Sequence, residues 1–173
     1  TIHRFRRTFI DEGLALRFHS TGRAPQGYYP TYRQLLVEHD PQGQPGNFLA
    51  SEENYAFVRG LQTRDLVIPV VGDLSGPSAL AAIARLMADR GETLSAFYVS
   101  NVENYLFQNG TFGRFVENLS RLPRSDKSVI IRSVFGGYAR SGYGSASHLQ
   151  RANELVDGYA AGRFRSYGEV VDR

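Results

Sequence analysis

Three short runs rich in β-branched and apolar residues constrain this chain most: residues 66–71 (Leu-Val-Ile-Pro-Val-Val), 94–100 and 129–135. Each has the length of a strand rather than of a helix. The first leads through Gly72-Asp73-Leu74-Ser75-Gly76-Pro77 into an alanine-rich stretch, 78–90. That stretch reads as a helix with Pro77 in its first turn and Gly91 as its stop. After the second run, Asn101 is placed to cap a helix beginning at Val102, and residues 112–122 form another helix halted by Pro123. Strands alternating with helices predict parallel pairing and right-handed crossovers, so the expected fold is α/β, a three-layer Rossmann-like sandwich. Its mostly parallel sheet would be flanked by helices, either complete or a partial sheet. Pro69 is the one dissenting residue, because it cannot donate to a sheet ladder.

The flanks are less regular. Residues 4–18 fit a helix loosely, with Gly13 weakening it, and residues 20–30 are a Gly-, Pro- and Tyr-rich loop. Residues 32–39 suit a short helix or a strand, and residues 40–47 a closing turn. Ser51 is a good N-cap for a helix reaching Arg64. Residues 136–147 are dense in Gly, Ser and Tyr and read as a long connection, followed by helices at 149–161 and 166–171. The expected organisation is one α/β domain over 1–173, with a helical and loop lead-in (1–47), a βα core (48–135), and a loop with closing helices (136–173).

At 173 residues such a chain can bury a sizeable core. It has no cysteine, which removes disulfides, thiolate metal sites and cysteine nucleophiles. Of 20 basic residues only Lys127 is lysine, yet the net charge is +3 and acids follow the bases along the chain. No basic stripe results, and no nucleic-acid partner is expected. No run approaches the ~20 apolar residues of a membrane span, and the start lacks a signal-peptide centre, so a cytoplasmic, soluble protein is expected. The four histidines have no ligand spacing, and neither a P-loop nor a G-x-S-x-G elbow is present. No metal site is expected.

Three places carry candidate chemistry. At the first, Gly72, Asp73, Ser75 and Gly76 stand between a strand and a helix N-terminus, where backbone N–H groups can meet an anionic or polar ligand. An ordinary turn capped by Asp73 and Ser75 accounts for the same residues. At the second, Ser100, Asn101 and Glu103 follow the next strand and would share that sheet edge, with Tyr98 free to face either way. Helix capping by Asn101 is the plainer account there. At the third, Arg132 and Ser133 interrupt an apolar run, and a charge so placed is costly unless paired. Arg132 has three readings: a partner for Asp73 or Glu103, a holder of a ligand carboxylate or phosphate, or a solvent-facing residue on an edge strand. The Gly142-x-Gly144 segment reads as a flexible loop.

The stretches 48–55, 66–77, 96–106 and 131–135, with the closing residues 161–170, resemble the C-terminal half of an uncharacterised bacterial family. Some of its members are described as similar to class I S-adenosylmethionine-dependent methyltransferases. The likeness runs from about Tyr29 onward, and family members are longer. It therefore implies either the C-terminal part of a longer protein, lacking its N-terminal half, or a short relative of the family; a homo-oligomer is a further expectation for the chain. It also implies that backbone amides of residues 75–78 hold S-adenosylmethionine, that Asp73 meets its amino-acid portion, and that Glu103 or Asn101 meets ribose or substrate. Tyr98, Arg132 and Ser133 would then face a small-molecule substrate. Ser75 and Ser78 stand where such a loop carries glycines, and Val99 and Ser100 where the next strand carries an acid. The alternative is a non-catalytic α/β ligand-binding or protein-interaction module with a degenerate cofactor site.

Overall fold

A computed structural model describes residues 2–18, 24, 27, 29–40, 42–136 and 145–172. Most of the 20–30 loop, and residues 137–144 with the Gly142-x-Gly144 segment, lie outside the described residues. The chain divides into two compact units, Thr1–Pro69 and Val70–Arg173.

The first unit holds α1 (Ile2–Glu12) with a 3-10 turn after it (Gly13–Ala15), α2 (Tyr32–Leu36) and α3 (Glu52–Thr63). Thr31 and Gln34 form a capping box at the start of α2, which settles residues 32–36 as helix. Ser51 caps α3 by accepting from the Asn54 N–H, as expected. The Asp40 carboxylate accepts from the backbone N–H groups of Gln42 and Gln44 and closes the expected turn. Phe9 packs edge-on against Tyr32, with ring centres 5.4 Å apart. None of the described residues of this unit is fully buried.

The second unit contains α4 (Ala79–Asp89), β1 (Leu94–Ser100), α5 (Val102–Gln108), α6 (Phe112–Ser120), β2 (Arg124–Phe135), β3 (Ser145–Arg151), α7 (Ala152–Ala160) and α8 (Tyr167–Val171). The three strands form one sheet in the order β1-β2-β3. The β1–β2 pair is parallel and the β2–β3 pair antiparallel.

The expected mostly parallel, three-layer sandwich is therefore wrong for this chain. Two expectations behind it fail. Residues 66–71 form no strand: Pro69 removes a ladder donor, and Leu66, Val67, Ile68, Val70 and Val71 are exposed. Residues 145–151, expected as loop and helix, instead return antiparallel along β2, with Phe135 opposite Ser145 and Val129 opposite Arg151.

The core of this unit lies on one face of the sheet. Phe97, Val99 and Ile130 meet Leu80 and Ala84 of α4, Leu106 of α5, Phe112, Phe115, Val116 and Leu119 of α6, Leu155 of α7 and Val170 of α8. At roughly 1.5–3 kcal/mol for each large side chain fully buried, this cluster is the main source of stability in the unit. On the opposite face Tyr98, Ile131 and Leu149 stand in register across the three strands, and Tyr98 and Leu149 are exposed. Among the described residues, no helix is long and apolar enough to cross a membrane.

Candidate functional site

The carboxyl edge of the parallel β1–β2 pair gathers most of the residues singled out from the sequence. Ser100 ends β1 opposite Arg132 of β2, at a register irregularity that follows Tyr98. Its φ of 52° is left-handed, a conformation that costs a non-glycine residue roughly 1–2 kcal/mol. That kink lets the chain leave the strand and enter α5 within two residues.

Glu103, in the first turn of α5, turns inward to Arg132. The guanidinium grips the carboxylate side-on: Nε donates to Oε2, and Nη2 donates to Oε1 at 3.0 Å. Both side chains are fully buried. Of the three readings of Arg132, pairing with Glu103 is the one realised. The solvent-facing edge strand is excluded because β2 is the central strand. Neither side chain is exposed to solvent, and the carboxylate of Glu103 is engaged by Arg132 rather than presented at the strand edge. A bidentate pair so thoroughly desolvated joins α5 to the sheet, each carboxylate oxygen accepting one guanidinium bond.

The loop before α4 is similarly committed to itself. The Asp73 carboxylate accepts from the Ser75 backbone N–H at 2.8 Å and from the Ser75 hydroxyl at 2.9 Å. Those two bonds, with a smaller contribution from the Arg114 charge, hold the Asp73 carboxyl below the usual carboxylate range. Gly72 is required by close packing, since a Cβ there would collide with that of Ala79, and a Cβ on Gly76 would press on the Asp73 carbonyl. The loop glycines thus serve the turn and its contact with α4.

Asn118 of α6, which sequence reasoning missed, pins this loop. Its side-chain amide donates to the carbonyls of Leu74 at 2.9 Å and Gly76 at 2.8 Å, and the residue is almost wholly buried. A signal existed: Asn118 sits among Phe115, Val116 and Leu119 on the apolar stripe of an amphipathic helix, where an unexplained polar residue is expensive. Ser78 precedes α4 without a side-chain cap, and Asn101 precedes α5 likewise. The expected side-chain capping by Asn101 is therefore not made.

At the strand edge itself, Tyr98 is exposed and Ser133 half-buried beside it. The phenol oxygen lies 2.9 Å from the Ser133 hydroxyl. Hydrogen bonds from Ser133 and then Ser100 draw the Tyr98 hydroxyl below the usual phenol range by favouring the phenolate. Tyr98, Ser100 and Ser133 thus form a small hydroxyl cluster at the strand edge, with Tyr98 and Ser133 on the sheet face opposite Phe97, Val99 and Ile130 of the core. Among the described residues, no three His, Asp or Glu side chains converge as metal ligands. Concavities of about 570 Å³, against His3, Arg7 and Ile10, and about 450 Å³, beside Leu49, Ser51 and Tyr55, lie in the first unit.

Residues 16–157 match a family described as a domain of unknown function, DUF7790. No curated protein matches the sequence. The matched span covers most of the chain, including α2 to β3 and every residue of the strand edge, and on that extent the chain belongs to the DUF7790 family.

Proposed function

We propose that this chain is a non-catalytic ligand-binding module, whose contact surface is the Tyr98, Ser100 and Ser133 cluster at the carboxyl edge of β1 and β2. The observation that carries this reading is the commitment of the strand-edge acid, Glu103, to a buried ion pair. Glu103 is locked to Arg132 and buried, and Asp73 is held by Ser75. Glu103 is not free to act as a general base or to hold ribose hydroxyls, and the Ser75 bonds engage one oxygen, Oδ1, of the exposed Asp73 carboxylate. The accessible groups of the β1–β2 edge are hydroxyls and one aromatic ring, which suit hydrogen bonding and stacking with an uncharged or weakly polar small molecule.

A second reading, S-adenosylmethionine binding at Asp73, Ser75 and Gly76 in a methyltransferase-like protein, draws support from α4, whose first N–H groups have no side-chain cap. Calorimetric titration of the full chain with S-adenosylmethionine and its demethylated product separates the two. The binding-module reading expects no heat of binding from either. Micromolar affinity that Asp73→Ala abolishes would overturn it and establish the second.

A further inference from the structure

The buried ion pair leaves one polar atom unaccounted for. Arg132 uses Nε and Nη2 on Glu103, so Nη1 points away from the carboxylate. It is buried, and among the described residues no acceptor reaches it. One other buried side-chain atom shares that condition, Oε1 of Gln150 on β3. The two are of opposite kinds, a donor lacking an acceptor and an acceptor lacking a donor.

They are also neighbours by register. Arg132 pairs with His148, and Ile130 pairs with Gln150, so Gln150 sits diagonally from Arg132 across the β2–β3 ladder. Both project to the face that holds Ile130 and Val134 of the core. Diagonal positions in an antiparallel pair are ~7–8 Å apart. Long side chains reach across such a diagonal, and because neither atom is paired with the other or with another described group, a single molecule between them would satisfy both.

We infer that the β2–β3 ladder encloses an internal binding site for a single water molecule, which accepts from Arg132 Nη1–H and donates to Gln150 Oε1. Charge decides between a water and an anion. The Arg132–Glu103 pair is already neutral, and a second anion would bury a net negative charge with nothing to offset it. Water supplies both an acceptor and a donor, and sites of this polarity are where internal waters are found in folded proteins, roughly one per 27 residues. Its place in the structure is to complete the hydrogen bonding of a buried cation and to fasten β3, through Gln150, to the pair that holds α5.

The test is made on the full chain. Oxygen-17 relaxation dispersion should count one fewer long-lived water in Gln150→Leu than in the wild type, and the folding equilibrium constant of the variant should drop about tenfold. An equal water count in the two proteins would overturn the inference. A crystal structure of the unsubstituted protein decides the matter independently of how the variant folds: a water within hydrogen-bond distance of both Arg132 Nη1 and Gln150 Oε1 supports the site. A protein acceptor on Nη1, or bromide appearing there on soaking, would refute it.

Discussion

Arg132→Met tests the central claim that the strand-edge acid is structural. The substitution keeps an unbranched apolar side chain of similar length but removes both donors from Glu103. The carboxylate is fully buried and, among the described residues, is hydrogen-bonded by Arg132. Removing one partner of a buried pair costs about 3–5 kcal/mol, because an uncompensated charge is left inside. Set against a total stability of about 5–15 kcal/mol, that is a large fraction. With a urea slope of about 2 kcal/mol per molar, the midpoint falls by roughly 2 M. The double variant Glu103→Leu/Arg132→Met removes both charges and should recover all of this, ending level with the wild type or more stable by about 1–4 kcal/mol. Urea unfolding of the full chain, followed by far-ultraviolet circular dichroism and by tyrosine fluorescence in this tryptophan-free protein, gives all the values needed for a double-mutant cycle. A loss below about 1 kcal/mol in Arg132→Met, or additive single effects, would refute the reasoning by showing that the two groups do not depend on each other.

Two further outcomes concern the loop before α4 and the strand edge. Asn118→Ala strips the donors from two loop carbonyls, Leu74 and Gly76; stability should fall by about 2 kcal/mol, and amide exchange should quicken at Ser75 and Gly76, so unchanged exchange there would sink the pinning role. For Tyr98, ultraviolet titration should find one tyrosine ionising early, and Ser133→Ala should move that ionisation back toward the ordinary phenol range. The sign follows from a folded-state value lying below the unfolded value of about 10. The Tyr98 contribution to stability is absent below the folded value, grows through the interval, and is complete above about pH 10. A Ser133→Ala titration identical to that of the wild type would show that the hydroxyl pair does not form in solution.

The helical elements of the second unit were legible because their signals are local. Residues 79–89 combine alanine content with a Gly91 stop, and that glycine does adopt the left-handed conformation, at φ 66°. β1 was legible from its apolar content, and α6 from its period. β3 was not. Its sequence, Ser-Ala-Ser-His-Leu-Gln-Arg, turns Ala146, His148 and Gln150 toward the core side and Leu149 outward, so no apolar alternation marks it as a strand. Its pairing is fixed instead by the β2 strand it lies against. Residues 66–71 present the converse: the composition of a buried strand, with no strand formed. Composition identifies what a segment is able to do, whereas a strand also needs a neighbouring edge to supply its hydrogen bonds.

The same distinction governs the site. Asp73, Glu103 and Arg132 are the residue types from which a cofactor site is built, and in sequence they stand at the places where an α/β protein keeps such groups. Whether an acid there is available depends on partners outside its own segment. Arg132 lies 29 residues from the Glu103 it neutralises, and Asn118 lies 42 residues from the Gly76 carbonyl it holds. Only Ser75, two residues from Asp73, was within reach of local reasoning; the expected capping of α4 by Asp73 and Ser75 is not made, and the two bond each other in the turn instead. Tyr98 and Ser133 differ in kind: they are 35 residues apart, yet their pairing leaves both oxygens at an open edge rather than sealing them in. A functional reading of this fold therefore rests on which polar groups remain accessible once the interior has taken its share, and at the β1–β2 edge those are the hydroxyls of Tyr98 and Ser133 rather than the carboxylate of Glu103.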